Sequence, residues 1–172
     1  MCPLDLPQTQ APITESQTIS DIKKQLSFDS ALLLDLDNTI MQAAVELGSD
    51  QWFSALCVHA ESVVPDKNIA STLVLELYFA IQHIVRQKKI EDNTALLIRR
   101  IQDLGIPVLA ITARDHGIKD ATIRQLKDIG IDFSRIPAHY GYNTTRELNI
   151  ARKSEEQPFY EGGIIFCCGN DK

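Results

Sequence analysis

Apolar residues recur along this chain in two different periods. Three short unbroken runs, Ala31-Leu32-Leu33-Leu34, Val108-Leu109-Ala110-Ile111 and Gly163-Ile164-Ile165-Phe166, have the length and flanks of buried strands. Elsewhere the spacing widens to three and four residues, the period of a half-buried helix. Gly48-Ser49-Asp50 can start and cap such a helix, with Trp52, Leu56, Ala60 and Val63 near one stripe and an end around Pro65. The spacing predicts a second helix over about 66–89 through Ile69, Leu73, Leu77, Ile81 and Ile84. A third covers about 93–104 through Leu97, Ile98, Ile101 and Leu104, stopped by Gly105. Pro107 introduces the second strand. A fourth helix follows over 115–129 through Ile118, Thr122, Leu126 and Ile129, closed by Gly130. This order implies an α/β fold in which parallel strands are joined by crossover helices. Residues 133–158 read as irregular apart from a short helix near 145–153, and the aromatics Trp52, Tyr78 and Phe79 read as core.

Length and charge narrow this picture. A chain of 172 residues suffices for one domain, or one core with an insertion. Its net charge of −6, with no basic stripe, argues against nucleic acid as a partner. The amino terminus through Gln17 holds Pro3, Pro7 and Pro12, with neither a positive start nor an apolar stretch. It reads as a flexible arm over 1–17 rather than a signal peptide. The most apolar window, Leu73 to Val85, is interrupted by Glu76, Gln82 and His83, so no membrane span is expected. Cys2, Cys57, Cys167 and Cys168 lack the paired spacing of a zinc site and read as free thiols. His59, His83, His116 and His139 are equally scattered.

The chemistry concentrates where the first strand ends, in Asp35-Leu36-Asp37-Asn38-Thr39. Open α/β sheets bind ligands at the carboxyl ends of their strands. Asp35 and Asp37 would share a face of a continuous strand, and a turn beginning there could aim both at one pocket. Two close carboxylates repel unless compensated. Mg²⁺ would do so, taking oxygen ligands and keeping waters or phosphate oxygens in its shell. The plain alternative is a strand ending in polar turn residues. An EF-hand calcium loop fits badly, because Ile40 stands where that loop requires glycine.

The run Leu32-Leu33-Leu34-Asp35-Leu36-Asp37-Asn38-Thr39 resembles the first motif of the haloacid dehalogenase superfamily. The strand ending in Thr112 is similar to its second motif, and Gly163 through Gly169-Asn170-Asp171-Lys172 to its third. The resemblance implies a three-layer Rossmann-like core with a parallel sheet, formed by 18–41 and 105–172, with a helical cap inserted over 42–104. Helices that simply pack on the core are the alternative for that insertion. It further implies an Mg²⁺-dependent phosphomonoester hydrolase working through an aspartyl-phosphate. Asp35 is then the nucleophile and Asp37 the general acid and base. Mg²⁺ would lie on the Asp35 carboxylate and the Asp37 carbonyl. Thr112, the Ala113 amide and Lys172 would bind phosphate, although Thr112 also suits a helix cap and Lys172 a solvated chain end. Arg114 is expected to be exposed, with a contact to phosphate as the alternative. The substrate class is a phosphorylated small molecule or a phosphoprotein.

The fourth acidic motif of that superfamily has no counterpart here. The core is therefore expected to be incomplete at its carboxyl end, as in a fragment or a truncated product, with a catalytically impaired interaction module as the competing function. Leu47 to Phe53 together with Gly169 to Lys172 are similar to a subgroup from bacteria living inside host cells, some of them exported effectors. Location is thus expected to be cytoplasmic, or else export into a host cell.

Overall fold

A computed structural model describes residues 13–135 and 157–169. The architecture is mixed α/β. Strand β1 (Leu32–Asp35) pairs in parallel with β4 (Val108–Thr112), and β4 in parallel with β6 (Ile164–Phe166). Strand β5 (Phe159–Glu161) adds an antiparallel edge, giving the order β1-β4-β6-β5. The purely parallel sheet expected from the strand-helix alternation is therefore mixed. The cause is local. Gly162 and Gly163, both at positive φ (59° and 84°), form the two-residue turn that joins β5 to β6.

A second, two-stranded sheet pairs β2 (Met41–Ala43) with β3 (Gln87–Lys89) antiparallel. Helices α1 (Asp50–Val63) and α2 (Lys67–Gln82) lie in sequence between those strands and pack on each other. Ser49 caps α1 by accepting from the Trp52 amide at 3.2 Å, and Asp66 caps α2 by accepting from the Asn68 amide at 2.9 Å. The helix expected to run on to residue 89 stops at Gln82, because Gln87–Lys89 finds backbone partners in β2. Tertiary pairing overrides a helical pattern there.

Helix α3 (Thr94–Asp103) ends at Gly105, whose φ of 80° suits a residue without Cβ. Although α3 falls within 42–104, its Leu97, Ile98 and Ile101 join Leu34, Val108 and Phe166 in the principal core. Each such side chain contributes roughly 1.5–3 kcal/mol by leaving water. A 3₁₀ turn at His116–Ile118 leads into α4 (Lys119–Asp128), where an unbroken helix from 115 was expected. Asp115 caps this turn by accepting from the Gly117 amide at 2.8 Å. Residues Ile19–Lys24 form another 3₁₀ segment. It is tied to the chain before α3, since Glu91 accepts from the Ile19 amide at 2.7 Å and the Thr18 hydroxyl at 2.6 Å.

Among the described residues, no helix is long and apolar enough to cross a membrane, and no group of three His, Cys, Asp or Glu side chains could hold a metal ion. Cys57 and Cys168 are free thiols, half-buried, and Cys167 is buried. The short helix expected near 145–153 lies outside the described residues.

Candidate active site

The carboxyl ends of β1, β4 and β6 lie side by side, with Asp35 opposite Ile111 and Thr112 opposite Phe166. Beyond Asp35 the chain turns at once. The Leu36 carbonyl accepts from the amides of Thr39, Ile40 and Met41, and Asn38 takes the left-handed conformation at φ 56°. Leu36, Ile40 and Met41 are fully buried and clamp the turn, leaving Asp35 and Asp37 half-buried on its outer side. Thr39 then donates from its hydroxyl to Asp35 Oδ2 at 2.8 Å. Asn38 donates from Nδ2 to the carboxylate of Asp50, the first residue of α1.

Asp37 is held from the neighbouring strand end. Arg114 donates from Nε to Asp37 Oδ2 at 2.9 Å and from Nη2 to Oδ1 at 2.7 Å, a two-point ion pair. The Thr112 hydroxyl donates to Asp37 Oδ2 at 3.4 Å and accepts from the Arg114 amide at 3.2 Å. The expectation that Arg114 is exposed is overturned: it is 6% exposed, and Nη1 donates to Gln125 Oε1 at 2.6 Å and Thr122 Oγ1 at 3.0 Å. The available signal was a set of polar residues on core-facing helix positions. Gln82, Thr122 and Gln125 interrupt apolar stripes on α2 and α4, and a buried polar group requires partners.

After β6, the amides of Cys167, Cys168 and Gly169 donate to the carbonyls of Thr112, Arg114 and Ala113 at 2.8, 3.2 and 2.8 Å. These bonds seat the β6 turn against the segment carrying Thr112 and Ala113. Lys172 lies outside the described residues. The structure thus brings Asp35, Asp37, Thr112 and Ala113 to one sheet edge. Their donors and acceptors are oxygen and amide groups that suit a hard cation and a phosphoryl group. The Asp37 carboxylate is engaged by Arg114 at both oxygens.

Tyr78 reaches toward this edge from α2 and packs edge-on against Phe53, with centroids 4.9 Å apart. It is half-buried, and burial pushes its phenol up to about 12. Arg114 opposes the rise, and Asp37 and Asp50 add to it. The folded protein therefore keeps this proton where the unfolded chain, near the ordinary value of about 10, releases it. The associated stability is fully present below about pH 10 and is lost as pH rises through about 12. Ultraviolet titration of tyrosinate is expected to show a late-ionising component that Tyr78→Phe removes. An unchanged titration curve in that variant would contradict the assignment.

Fold and site define an α/β protein with an acid-bearing strand edge. Within that class the chain belongs to DUF2608, a family described as proteins of unknown function, which matches residues 15–172. Three relatives share the name "Putative outer membrane protein". The one from Chlamydia muridarum is 25% identical over 126 residues, covering 72% of this chain and 48% of the relative. The Chlamydia trachomatis protein is 26% identical over 127 residues, covering 72% and 49%. The third, from Chlamydia pneumoniae, is 27% identical over 120 residues, covering 68% and 46%. The chain spans about half the length of the curated relatives it matches. No solved structure matches it.

These matches correct the assignment made from short motifs. The family is DUF2608, and the relatives carry an outer-membrane name rather than that of a haloacid dehalogenase phosphatase. The narrower subgroup resemblance falls with it. Three motifs of a few residues each recur by chance far more readily than a match extending over residues 15–172.

Proposed function

We propose that this chain carries the reaction centre of a Mg²⁺-dependent phosphomonoester hydrolase that works through an aspartyl-phosphate. The observation that carries the reading is Asp35 at the carboxyl end of β1, oriented by Thr39. The Arg114-anchored Asp37 stands two residues on, in the same turn. Asp35 attacks phosphorus, and the bond to the leaving oxygen breaks with its electron pair. Asp37, entering the cycle protonated, gives that oxygen its proton, then takes one from the water that cleaves the aspartyl-phosphate, which restores the acid and returns the Asp35 carboxylate. Thr112 turns its hydroxyl from Asp37 to a phosphoryl oxygen, and the Ala113 amide adds a second donor. The Asp35 carboxylate and the Asp37 carbonyl would hold Mg²⁺, which would supply charge neutralisation to the transferring group.

The test is release of phosphate from p-nitrophenyl phosphate by the whole protein with Mg²⁺ and with excess chelator. Turnover lost on chelation and restored by Mg²⁺ is expected. Turnover that ignores chelator would remove the metal from the proposal, and none under either condition would remove the hydrolase.

A second reading, an interaction module without turnover, draws on the engagement of both Asp37 oxygens by Arg114. While that pair holds, Asp37 is occupied when a leaving group needs it. The relatives' outer-membrane name supports an exported or envelope location over a cytoplasmic one. Fractionation of the native cell checks this, and recovery of the whole protein only with the cytosol would reject it.

A further inference from the structure

The root of α2 is a buried polar cluster where apolar packing would be expected. Gln82, its last residue, is fully buried. Its Nε2 donates to the Gly48 carbonyl at 3.0 Å. Its Oε1 accepts from Gln125 Nε2 at 3.1 Å, Gln87 Nε2 at 3.3 Å and Arg114 Nη2 at 3.5 Å. Its main-chain carbonyl accepts from Gln125 Nε2 at 2.9 Å and Arg124 Nη2 at 3.1 Å. Gly48 immediately precedes the Ser49 cap of α1, so this one amide side chain joins the entry of the α1–α2 excursion to its exit. The same side chain touches the guanidinium that grips Asp37.

We propose that Gln82 and Arg114 are positioning residues that set the direction of the Asp37 carboxylate according to how the α1–α2 unit is seated. The inference rests on the hydrolase reading and deepens it. Burying an arginine among amides gains little stability over well-packed apolar residues, whereas its planar fork fixes a carboxylate in two dimensions. Gln125 and Thr122 take the other side of the fork and prevent it from swinging. A second tie, from Asn38 to Asp50, links the turn beside Asp37 to the start of α1. A displacement of the helical pair therefore reaches Asp37 through both Arg114 and the turn itself. A shift of about 1 Å in a reacting group costs on the order of 100-fold in rate.

The experiment is steady-state hydrolysis of p-nitrophenyl phosphate with Mg²⁺ by the whole protein and by Arg114→Lys, Gln82→Glu and the double variant, with Asp35→Asn as reference. Lysine keeps the charge but loses the fork, so kcat is expected to fall on the order of 100-fold with KM little changed. Gln82→Glu sets a second carboxylate against Arg114 in competition with Asp37 and is expected to lower kcat roughly tenfold. The double variant should lose no more than Arg114→Lys alone, because the link is already broken. Millimolar guanidinium should raise kcat in Arg114→Ala, a response that a purely structural role does not produce. If Arg114→Ala fails to fold, the Arg114→Lys and Gln82→Glu cycle decides by itself. Losses that multiply in the double variant overturn the coupling. Wild-type rates in both single variants, with Asp35→Asn inactive, overturn the positioning and leave the hydrolase standing. No turnover by the unaltered protein overturns both.

Discussion

Asp35→Asn in the whole protein is expected to lower phosphomonoester turnover on the order of 10⁴-fold or more, the scale seen when a covalent nucleophile is removed. Asparagine has almost the same shape as aspartate, and its amide oxygen can still accept from the Thr39 hydroxyl that now bonds Oδ2 at 2.8 Å. The turn through Leu36, Ile40 and Met41 is held by main-chain bonds to the Leu36 carbonyl and does not depend on the Asp35 charge. The variant should therefore fold and melt like the parent while losing the carboxylate that attacks phosphorus. The informative comparison is thus activity against thermal stability in the same preparation. Full turnover in a folded Asp35→Asn protein would show that another group is the nucleophile. Loss of activity together with a large drop in melting temperature would say only that Asp35 supports the fold, and Asp35→Glu would then be measured. Glutamate keeps the charge but displaces it, so a nucleophile should still be lost and a structural anion largely retained.

Gly163→Ala is expected to be the most damaging small substitution outside the site. A Cβ at this position would lie 2.0 Å from the carbonyl oxygen of Phe133 and 2.5 Å from its carbon. The obstacle is backbone, so no rotamer change relieves it. Gly163 also sits at φ 84°, and its carbonyl accepts from the Ala110 amide at 2.9 Å in the middle of the sheet. Left-handed strain of about 1–2 kcal/mol adds to overpacking of about 1–3 kcal/mol or more. A total near 4 kcal/mol lowers the melting temperature by roughly 10 °C in a domain of this size. Gly162→Ala is the internal control. It shares the turn at φ 59°, but nothing lies within 4 Å of its added Cβ. It should cost only about 1–2 kcal/mol of backbone strain. Equal losses in the two variants would mean that the turn conformation alone, and not the approach of Phe133, makes glycine necessary at 163.

The strand ends that form the site were legible because their causes are local. An unbroken apolar run followed by Asp35, and another by Thr112, mark strands ending at one edge; of the two only β4 is interior, because β1 lies at the border of the sheet with Leu33 exposed. Ser49, Gly105 and Gly130 mark helix ends by side-chain capping and positive φ. The β5–β6 hairpin was equally local, since Gly162-Gly163 between strand-like residues is a two-residue turn signal, and reading 133–158 as irregular drew attention from its beginning. Other features had no local cause. Strand β3 exists because Gln87–Lys89 meets Met41–Ala43 across the α1–α2 excursion, a pairing that no window of sequence contains. Arg114 looks like any surface arginine until Asp37, Gln82, Thr122 and Gln125 arrive from β1's turn, α2 and α4 to surround it. The sequence by itself determined which residues can carry acid chemistry and where most elements begin and end, because propensity, capping and period act over a few residues. Only the tertiary structure decided which of those acids is gripped and by what, because burial and two-point ion pairing depend on groups distant along the chain.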